Sequence, residues 1–376
     1  MQRAYKYRIY PSHAQEAILE RWLALCCELY NAALQERRDA YNIRHKSISY
    51  RNQQDQLPEI KETRLELNTI HSQVLQDVLR RLDKAFDAFF RRIKAGEKPG
   101  YPRFRSRSRY DSFTFSQSGF AIESNKLKLS KIGKVKIKLH RPIEGKIKTL
   151  TITRNSTGKW YACLVAEVEA QPVALSTDRV GIDMGLKTFA TLSTGEEIAN
   201  PRFFRVEQKR LAKAQRKLSA AKKGSAERRK QRKVVAHVHE RITNKRRDFA
   251  HQESRKLVNR FGVIVFENLN ISGMLKNHCL AKSIADAAWS QLVNFTQYKA
   301  ENAGRKCIQV NPRNTSQMCS GCGDIVEKSL SVRVHNCVGC GLTLDRDHNA
   351  AINILTLGLQ SLPQLRKEAA SFQGAE

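Results

Sequence analysis

Hydrophobic and polar positions change their period along the chain. Residues 2 to 10 set Tyr5, Tyr7 and Ile9 against Lys6 and Arg8, the two-residue period of a half-buried strand. Pro11-Ser12 then punctuates, and Ser12 stands where a helix cap would, ahead of Leu19, Leu23, Leu25 and Leu29. The pattern stays helical to about Lys94. Val74, Leu75, Val78, Leu79, Leu82, Phe86 and Phe89 recur at i, i+3 and i+4, which predicts a helix-bundle core.

A turn-rich boundary follows at Gly96-Glu97-Lys98-Pro99-Gly100-Tyr101-Pro102. Short alternating runs then recur at Ser112–Phe115, Val135–Leu139, Thr149–Arg154 and Trp160–Glu169, predicting an antiparallel barrel or sheet that ends in a linker at Gln171-Pro172. Beyond it the expected order is strand (Val180–Met184), strand (Lys187–Ser193), and a short third strand after Thr194-Gly195. A basic helical stretch, Phe204–Val258 with a break near Gly224, comes next. Gly262–Phe266 is a continuous β-branched run of the kind found in buried parallel strands. A helix (Ser283–Ala303), a strand (Lys306–Val310), a cysteine-rich insert at about 311–342 and a helix from near Asp347 complete it. That order is the one an RNase H-like fold shows.

Composition narrows the reading. The 376 residues suit two or three domains, and 41% hydrophobic with 27% charged residues excludes wholesale disorder. The formal net charge of +31 points to a polyanion partner, DNA or RNA. Apolar runs such as Val263–Phe266 fall far short of the roughly 20 residues of a bilayer helix, so no membrane is expected. The amino terminus is charged from its third residue and has no apolar signal core, so the expected location is the cytosol.

Nine cysteines are too few for a disulfide scaffold, but four form two CxxC pairs. Cys319 and Cys322, then Cys337 and Cys340, are spaced to hold one structural Zn²⁺. A glycine follows each pair (Gly323, Gly341), where it is expected to relieve crowding of backbone folded round the metal. Cys26, Cys27, Cys163, Cys279 and Cys307 are expected to be buried thiols, and His335 is left out of the metal site.

Three carboxylates close elements of the last region. Asp183 lies late in a hydrophobic strand, Glu267 ends the run Val-Ile-Val-Phe-Glu, and Asp347 opens the last helix. Each alone has a bland alternative: a turn residue, a surface strand end, a helix cap. Asp345 competes with Asp347, and periodicity does not separate them. Together they are placed to share two Mg²⁺ ions about 4 Å apart, an arrangement that hydrolyses phosphodiesters.

Several motifs resemble TnpB, the OrfB-type transposon-encoded proteins related to type V CRISPR effectors. They are Gly-Ile-Asp-Met-Gly at 181–185, Phe-Glu-Asn-Leu at 266–269, Asn-Thr-Ser-Gln-Met-Cys at 314–319 with the four cysteines, and Asp-Arg-Asp-His-Asn-Ala-Ala-Ile-Asn-Ile at 345–354. Lys-Pro-Gly-Tyr-Pro-Arg-Phe at 98–104 and the opening Tyr-Lys-Tyr-Arg-Ile-Tyr-Pro-Ser also resemble that family. The resemblance implies an RNA-guided DNA endonuclease with a RuvC domain, a guide noncoding RNA from the transposon end, and double-stranded target DNA beside a short transposon-adjacent motif. It places the catalytic, magnesium-binding acids at Asp183, Glu267 and Asp347, the last because the family's acid stands two residues before Asn349.

The implied architecture is multidomain α+β. Residues 1–10 supply the first strand of a wedge β-barrel continued at 96–175, with a helical recognition lobe at 11–95 between them. An RNase H-like (RuvC) α/β nuclease domain spans 176–310 and 343–376 around a zinc ribbon at 311–342 that binds target nucleic acid. A monomer in the RNA complex, in a bacterial or archaeal cytosol near the nucleoid, is expected. Residues 202–256 carry 20 Lys+Arg against 5 Asp+Glu. Arg228, Arg229, Lys230, Lys245, Arg246 and Arg247 are candidates to line a heteroduplex channel, or else form a solvated helix face. Tyr101, Phe104 and Tyr110 could stack bases or pack in the core. A guided DNA-binding repressor or transposition accessory without cleavage is the alternative, and a strand-transferring transposase a third reading.

Overall fold

The computed structural model describes residues 1–169, 176–329 and 332–362, and the chain divides into two compact units, Met1–Glu169 and Ala170–Glu376. The linker expected at Gln171-Pro172 lies outside the described residues, as does most of the tail.

The first unit opens with β1 (Gln2–Tyr10), whose Tyr5, Tyr7 and Ile9 are buried at period two. Helix α1 (His13–Arg44) starts at a complete capping box: Ser12 accepts from the Gln15 N–H and the Gln15 side chain accepts from the Ser12 N–H. Short helices α2 (Tyr50–Asp55) and α3 (Leu57–Thr63) lead to α4 (Ser72–Lys94). Val74, Leu75, Val78, Leu79 and Leu82 of α4 are buried, whereas Phe86 and Phe89 are half-buried beside exposed Phe90 and Tyr101.

Six strands follow: β2 (Ser112–Phe115), β3 (Phe120–Glu123), β4 (Lys126–Leu129), β5 (Gly133–Lys138), β6 (Lys146–Arg154) and β7 (Trp160–Glu167). They join β1 in an antiparallel sheet of order β2-β6-β7-β1-β5-β4-β3. Its two edge strands, β2 and β3, are consecutive in the chain and joined by residues 116–119, with the Phe115 and Phe120 rings 6.2 Å apart. A connection that short pulls opposite edges together, so the sheet curls into a nearly closed barrel. Helices and sheet share one hydrophobic core, in which Trp22 of α1 meets Phe113 and Phe115 at ring separations of 5.4 and 6.2 Å. Tyr110 belongs to this core, 7% exposed against Tyr30, while Tyr101 and Phe104 stand 44% and 47% exposed. Of the three aromatics considered for stacking, only the last two face solvent.

In the second unit, β8 (Arg179–Met184), β9 (Thr188–Leu192) and β10 (Glu197–Ala199) form an antiparallel meander. Helices α5 (Phe203–Ala220) and α6 (Ala226–Arg260) follow, then β11 (Val263–Glu267), parallel to β8. Short helices α7 (Ile271–Met274) and α8 (Ala281–Ala287) precede α9 (Trp289–Asn302), and β12 (Lys306–Val310) runs parallel to β11. The helix expected over 283–303 is thus two, because Ala288 takes a left-handed φ of 54° between α8 and α9. The small hairpin β13 (Val334–Asn336) and β14 (Thr343–Asp345) leads into α10 (Arg346–Gln360).

The strand order is β10-β9-β8-β11-β12. Alternate residues of the central strands face opposite layers. Val180, Ile182, Ile264 and Phe266 pack with Leu257, Val258, Leu292 and Ala300 of α6 and α9, whereas Val265 packs with Ile354 of α10. Burial at both faces, worth about 1.5 to 3 kcal/mol per large apolar side chain, makes β11 a continuous apolar run. No helix among the described residues is long and apolar enough to cross a membrane.

Candidate functional site

Gly181 fixes how α10 meets the sheet. A Cβ there would stand 2.1 Å from the Ala351 carbonyl oxygen, so only glycine lets the helix lie directly on β8. Asp183, two residues along β8, points to the same face as Gly181. Asp347 is one helical turn before Ala351. Its charge is felt at Asp183. The parallel register pairing Phe266 with Ile182 brings Glu267 beside Asp183 on that face.

The electrostatics agree with this convergence. Burial, then the charges of Glu267 and Asp347, push the Asp183 carboxyl up to about 8. Glu267 is 6% exposed, not the surface strand end its position in sequence allows. Burial raises its pKa, and a hydrogen bond donated by the Thr315 hydroxyl opposes the rise. Asp347 accepts from Arg346 Nε and Nη2 at 3.0 and 2.8 Å, with Arg333 Nη1 3.6 Å from its other oxygen. Asp345 caps α10 by accepting from the N–H groups of Asp347 and His348, and its charge adds a smaller push upward on Asp183. A buried Asp183 carboxyl facing the charges of Glu267 and Asp347 offers oxygen donors of the kind that suit hard divalent cations.

The four cysteines converge more tightly. Cys319, Cys322, Cys337 and Cys340 place their sulfurs within 4.8 Å of one another, the one such ligand group among the described residues. Sγ separations of 3.6 Å (Cys319–Cys340) and 3.5 Å (Cys322–Cys337) are close to the edge of about 3.8 Å expected for a tetrahedron with 2.3 Å Zn–S bonds. Burial opposes the Cys319 thiolate, but the N–H groups of Cys322 and Gly321, with His335, outweigh it and hold Cys319 down to about 6. The residues therefore fit one zinc ion. Gly323 and Gly341 are needed for their φ of 87° and 72°, not for space, since a Cβ at either would meet nothing within 4 Å. Among the remaining cysteines, Cys26 and Cys27 are buried and Cys163 and Cys307 half-buried; Cys279 is exposed because it sits in the turn between α7 and α8.

The six candidate cations separate into two kinds. Arg228 donates to the Leu218 and Ala221 carbonyls and so closes the C-terminus of α5. Arg246 binds Asp286, which also accepts from the Phe204 N–H at the start of α5. Lys245 lies 3.8 Å from buried Glu207. Arg229, Lys230 and Arg247 face solvent. A second basic surface, which the sequence did not suggest, covers the outer face of the barrel. There Lys126 faces Lys136, Lys128 faces Lys134, and Lys138 faces Arg8 across strands. Glu123 offsets the second of these pairs, at 2.7 Å from Lys134 and 3.9 Å from Lys128; like charges opposed in the other two cost stability, which a bound polyanion would relieve.

Sequence reasoning also passed over Thr315, Asn349 and Asn353, buried polar residues around Glu267 and the first cysteine knuckle. The position of Asn349 and Asn353 one turn apart on one helix face was the available signal.

Comparison with known proteins bears on the family and the fold. A family profile described as a probable transposase, OrfB/IS605, matches residues 162–278, a Cas12f1-like TNB domain matches 289–354, and an OrfB helix-turn-helix domain matches 1–46. A Streptomyces pristinaespiralis protein named RNA-guided DNA endonuclease is 39% identical over 367 residues, 96% of this chain and 90% of its own length. The Escherichia coli K12 protein named RNA-guided DNA endonuclease InsQ is 32% identical, over 94% of this chain and 92% of its own length. The fold is shared with Cas12f1 in its complex with sgRNA and target DNA, at a TM-score of 0.61 and 14% identity over 97% of this chain and 99% of that one. The chain belongs to the OrfB/IS605 transposase family that includes the TnpB-like proteins.

Proposed function

We propose that this protein is an RNA-guided DNA endonuclease that hydrolyses phosphodiesters at Asp183, Glu267 and Asp347. The observation that carries the chemistry is the approach of three carboxylates from β8, β11 and α10, with Asp183 raised first by burial and then by the charges of Glu267 and Asp347. The strand order β10-β9-β8-β11-β12, with β9 antiparallel and β8, β11 and β12 parallel, supports an RNase H-like (RuvC) nuclease domain. The three acids would hold two Mg²⁺ ions, which supply an activated water and neutralise charge at the leaving oxygen.

The chain's own residues do the rest. Gly181 admits α10 close enough for Asp347 to reach the strand ends, and Asp345 keeps that first turn formed. The barrel with its first strand would act as the wedge and α1 to α4 as the recognition lobe. The lysine rows of the barrel and the exposed arginines of α6 would grip nucleic-acid phosphates, while base pairing to a transposon-derived guide RNA reads the target. One Zn²⁺ in the four-cysteine ribbon would be structural. The complex would be monomeric and work in the cytosol on the nucleoid, beside a short transposon-adjacent motif. A guided binder without cleavage has no use for three acids gathered in one place.

Sequencing the RNA that copurifies with the protein tests guidance. The expected result is one discrete noncoding RNA whose 3′ portion directs cleavage of a plasmid bearing its match and a particular flanking motif. Purification without a defined RNA, or plasmids left uncut with every randomised flank, would refute the proposal.

A further inference from the structure

The zinc knuckle and the acid site are joined by a continuous set of buried polar contacts. Asn349 brackets Cys319: its Oδ1 accepts the Ser320 N–H at 2.9 Å and its Nδ2 donates to the Met318 carbonyl at 2.8 Å. One turn on, Asn353 Nδ2 donates to the same carbonyl at 2.7 Å and to the Thr315 carbonyl at 2.9 Å. The Thr315 hydroxyl lies near both the Pro312 carbonyl and Glu267 Oε1. It has one proton to give, and the charged carboxylate is the stronger acceptor. Asn349, Asn353 and Thr315 are at most 2% exposed, Cys319 is 1% and Glu267 6% exposed. A buried amide is costly unless its bonds are made, so apolar residues would have been the cheaper way to pack α10.

We infer that Thr315, Asn349 and Asn353 are positioning residues that make the zinc knuckle set the orientation of the Glu267 carboxylate. The inference rests on the reading of Glu267 as a divalent-cation ligand. Segment 315–320 forms no helix or strand; its backbone is held by a turn in which Gln317 and Met318 donate to the Asn314 carbonyl and by an antiparallel bridge of Met318 to Ile325 within the knuckle. It is fixed at one end by the knuckle around Cys319 and along its length by the two asparagines, and it presents the Thr315 hydroxyl to Glu267. The ribbon would then act inside the nuclease site as well as beside it. A zinc ligand held by its neighbours is the usual second layer of a metal site; here the same layer would serve two different metals.

The test is Mn²⁺ binding, read by electron paramagnetic resonance on the full-length protein, with zinc content measured on the same samples. Thr315→Val is expected to weaken Mn²⁺ binding about tenfold with zinc retained, and Thr315→Ser to restore it. Removing zinc from the wild-type protein is expected to weaken Mn²⁺ by a similar factor, and to have no further effect in Asn353→Leu, where the contact is already broken. Wild-type Mn²⁺ affinity in Thr315→Val, or in zinc-free protein that keeps its circular dichroism, would overturn the inference. Asp183→Ala separates it from the reading beneath it. Mn²⁺ bound undiminished by Asp183→Ala overturns the acid site and the relay with it. Binding lost in Asp183→Ala but kept in Thr315→Val overturns the relay alone.

Discussion

The cysteine and carboxylate clusters of the second unit follow opposite plans. The thiolates come from one stretch, 319–340, and their sulfurs already stand at tetrahedral distances. The acids come from positions 183, 267 and 347, and the sheet and α10 bring them to one place, but Asp347 is held by Arg346 and Arg333. A local loop can close around its metal as an independent act, whereas a site assembled by topology exists only when the whole α/β unit has formed.

Disrupting the acid site should have the largest effect. Asp183→Asn removes a ligand worth several kcal/mol of transition-state charge stabilisation, so cleavage is expected to fall by about a thousandfold or more. RNA binding, measured by filter retention, should stay near wild type; cleavage at the normal rate would remove Asp183 from the mechanism. Disrupting the local site comes next. Cys337→Ser is expected to reduce zinc from one equivalent to none by mass analysis and to expose 311–342 to proteolysis, while the circular dichroism of the sheet survives. Retained zinc would show that the ribbon does not need four thiolates.

The two clusters also differ in how pH acts on them. Asp183 has its folded pKa raised from 3.8 to about 8, so between those values the folded protein holds a proton that the unfolded chain has lost. This stabilising contribution is complete below about pH 4 and is lost as pH rises through about 8. In magnesium-free buffer with zinc retained, the melting temperature should therefore fall from pH 5 to pH 8. Added Mg²⁺ should raise it more at pH 8 than at pH 5, and Asp183→Asn should flatten both trends. Above pH 8 Lys299, lowered to about 8 by burial, acts in the opposite direction, which sets the upper end of the window. A magnesium effect independent of pH would contradict the reading.

The smallest expected effects separate the two kinds of arginine. Arg229→Gln, Lys230→Gln or Arg247→Gln should each lower the salt slope of nucleic-acid binding by at most about one, with unchanged melting temperature. Arg246→Gln should instead cost about 2 kcal/mol of stability, because it leaves buried Asp286 without its charged partner. Equal behaviour of Arg246 and Arg247 would erase the distinction.

Both clusters were legible in the sequence to the extent that they bend a local rule. An acid closing a buried β-branched strand, as Glu267 does, and paired CxxC motifs are conspicuous because each has a physical cost or purpose that ordinary packing lacks. The strands β3 (Phe120–Glu123) and β4 (Lys126–Leu129) went unseen although Lys126–Leu129 alternates, because the two-residue turn between them, Ser124-Asn125, carries no glycine or proline to mark a hairpin. The break at Ala288 had no signal, because a left-handed alanine is imposed by the packing of α8 and α9. The arginines of α6 look alike in sequence, and only the folded neighbours Asp286 and the end of α5 make Arg246 and Arg228 structural. Thr315 could not be found from its letter, since its importance lies in a partner 48 residues away.

The central place of β1 in the barrel has a consequence for synthesis. Its residues Gln2–Ile9 pair with Glu167–Trp160 of β7, and the terminal amine reaches the Val168 carbonyl across 167 positions. Strand β1, made before α1 to α4, must therefore wait for nearly the last strand of its unit, while those helices emerge in between with their apolar faces uncovered. Closing so long a loop is slow, and the waiting species is the one most exposed to aggregation. The step at which newly made chain depends most on chaperones should thus fall just after residue 167 clears the exit tunnel, before any strand of the second unit has emerged.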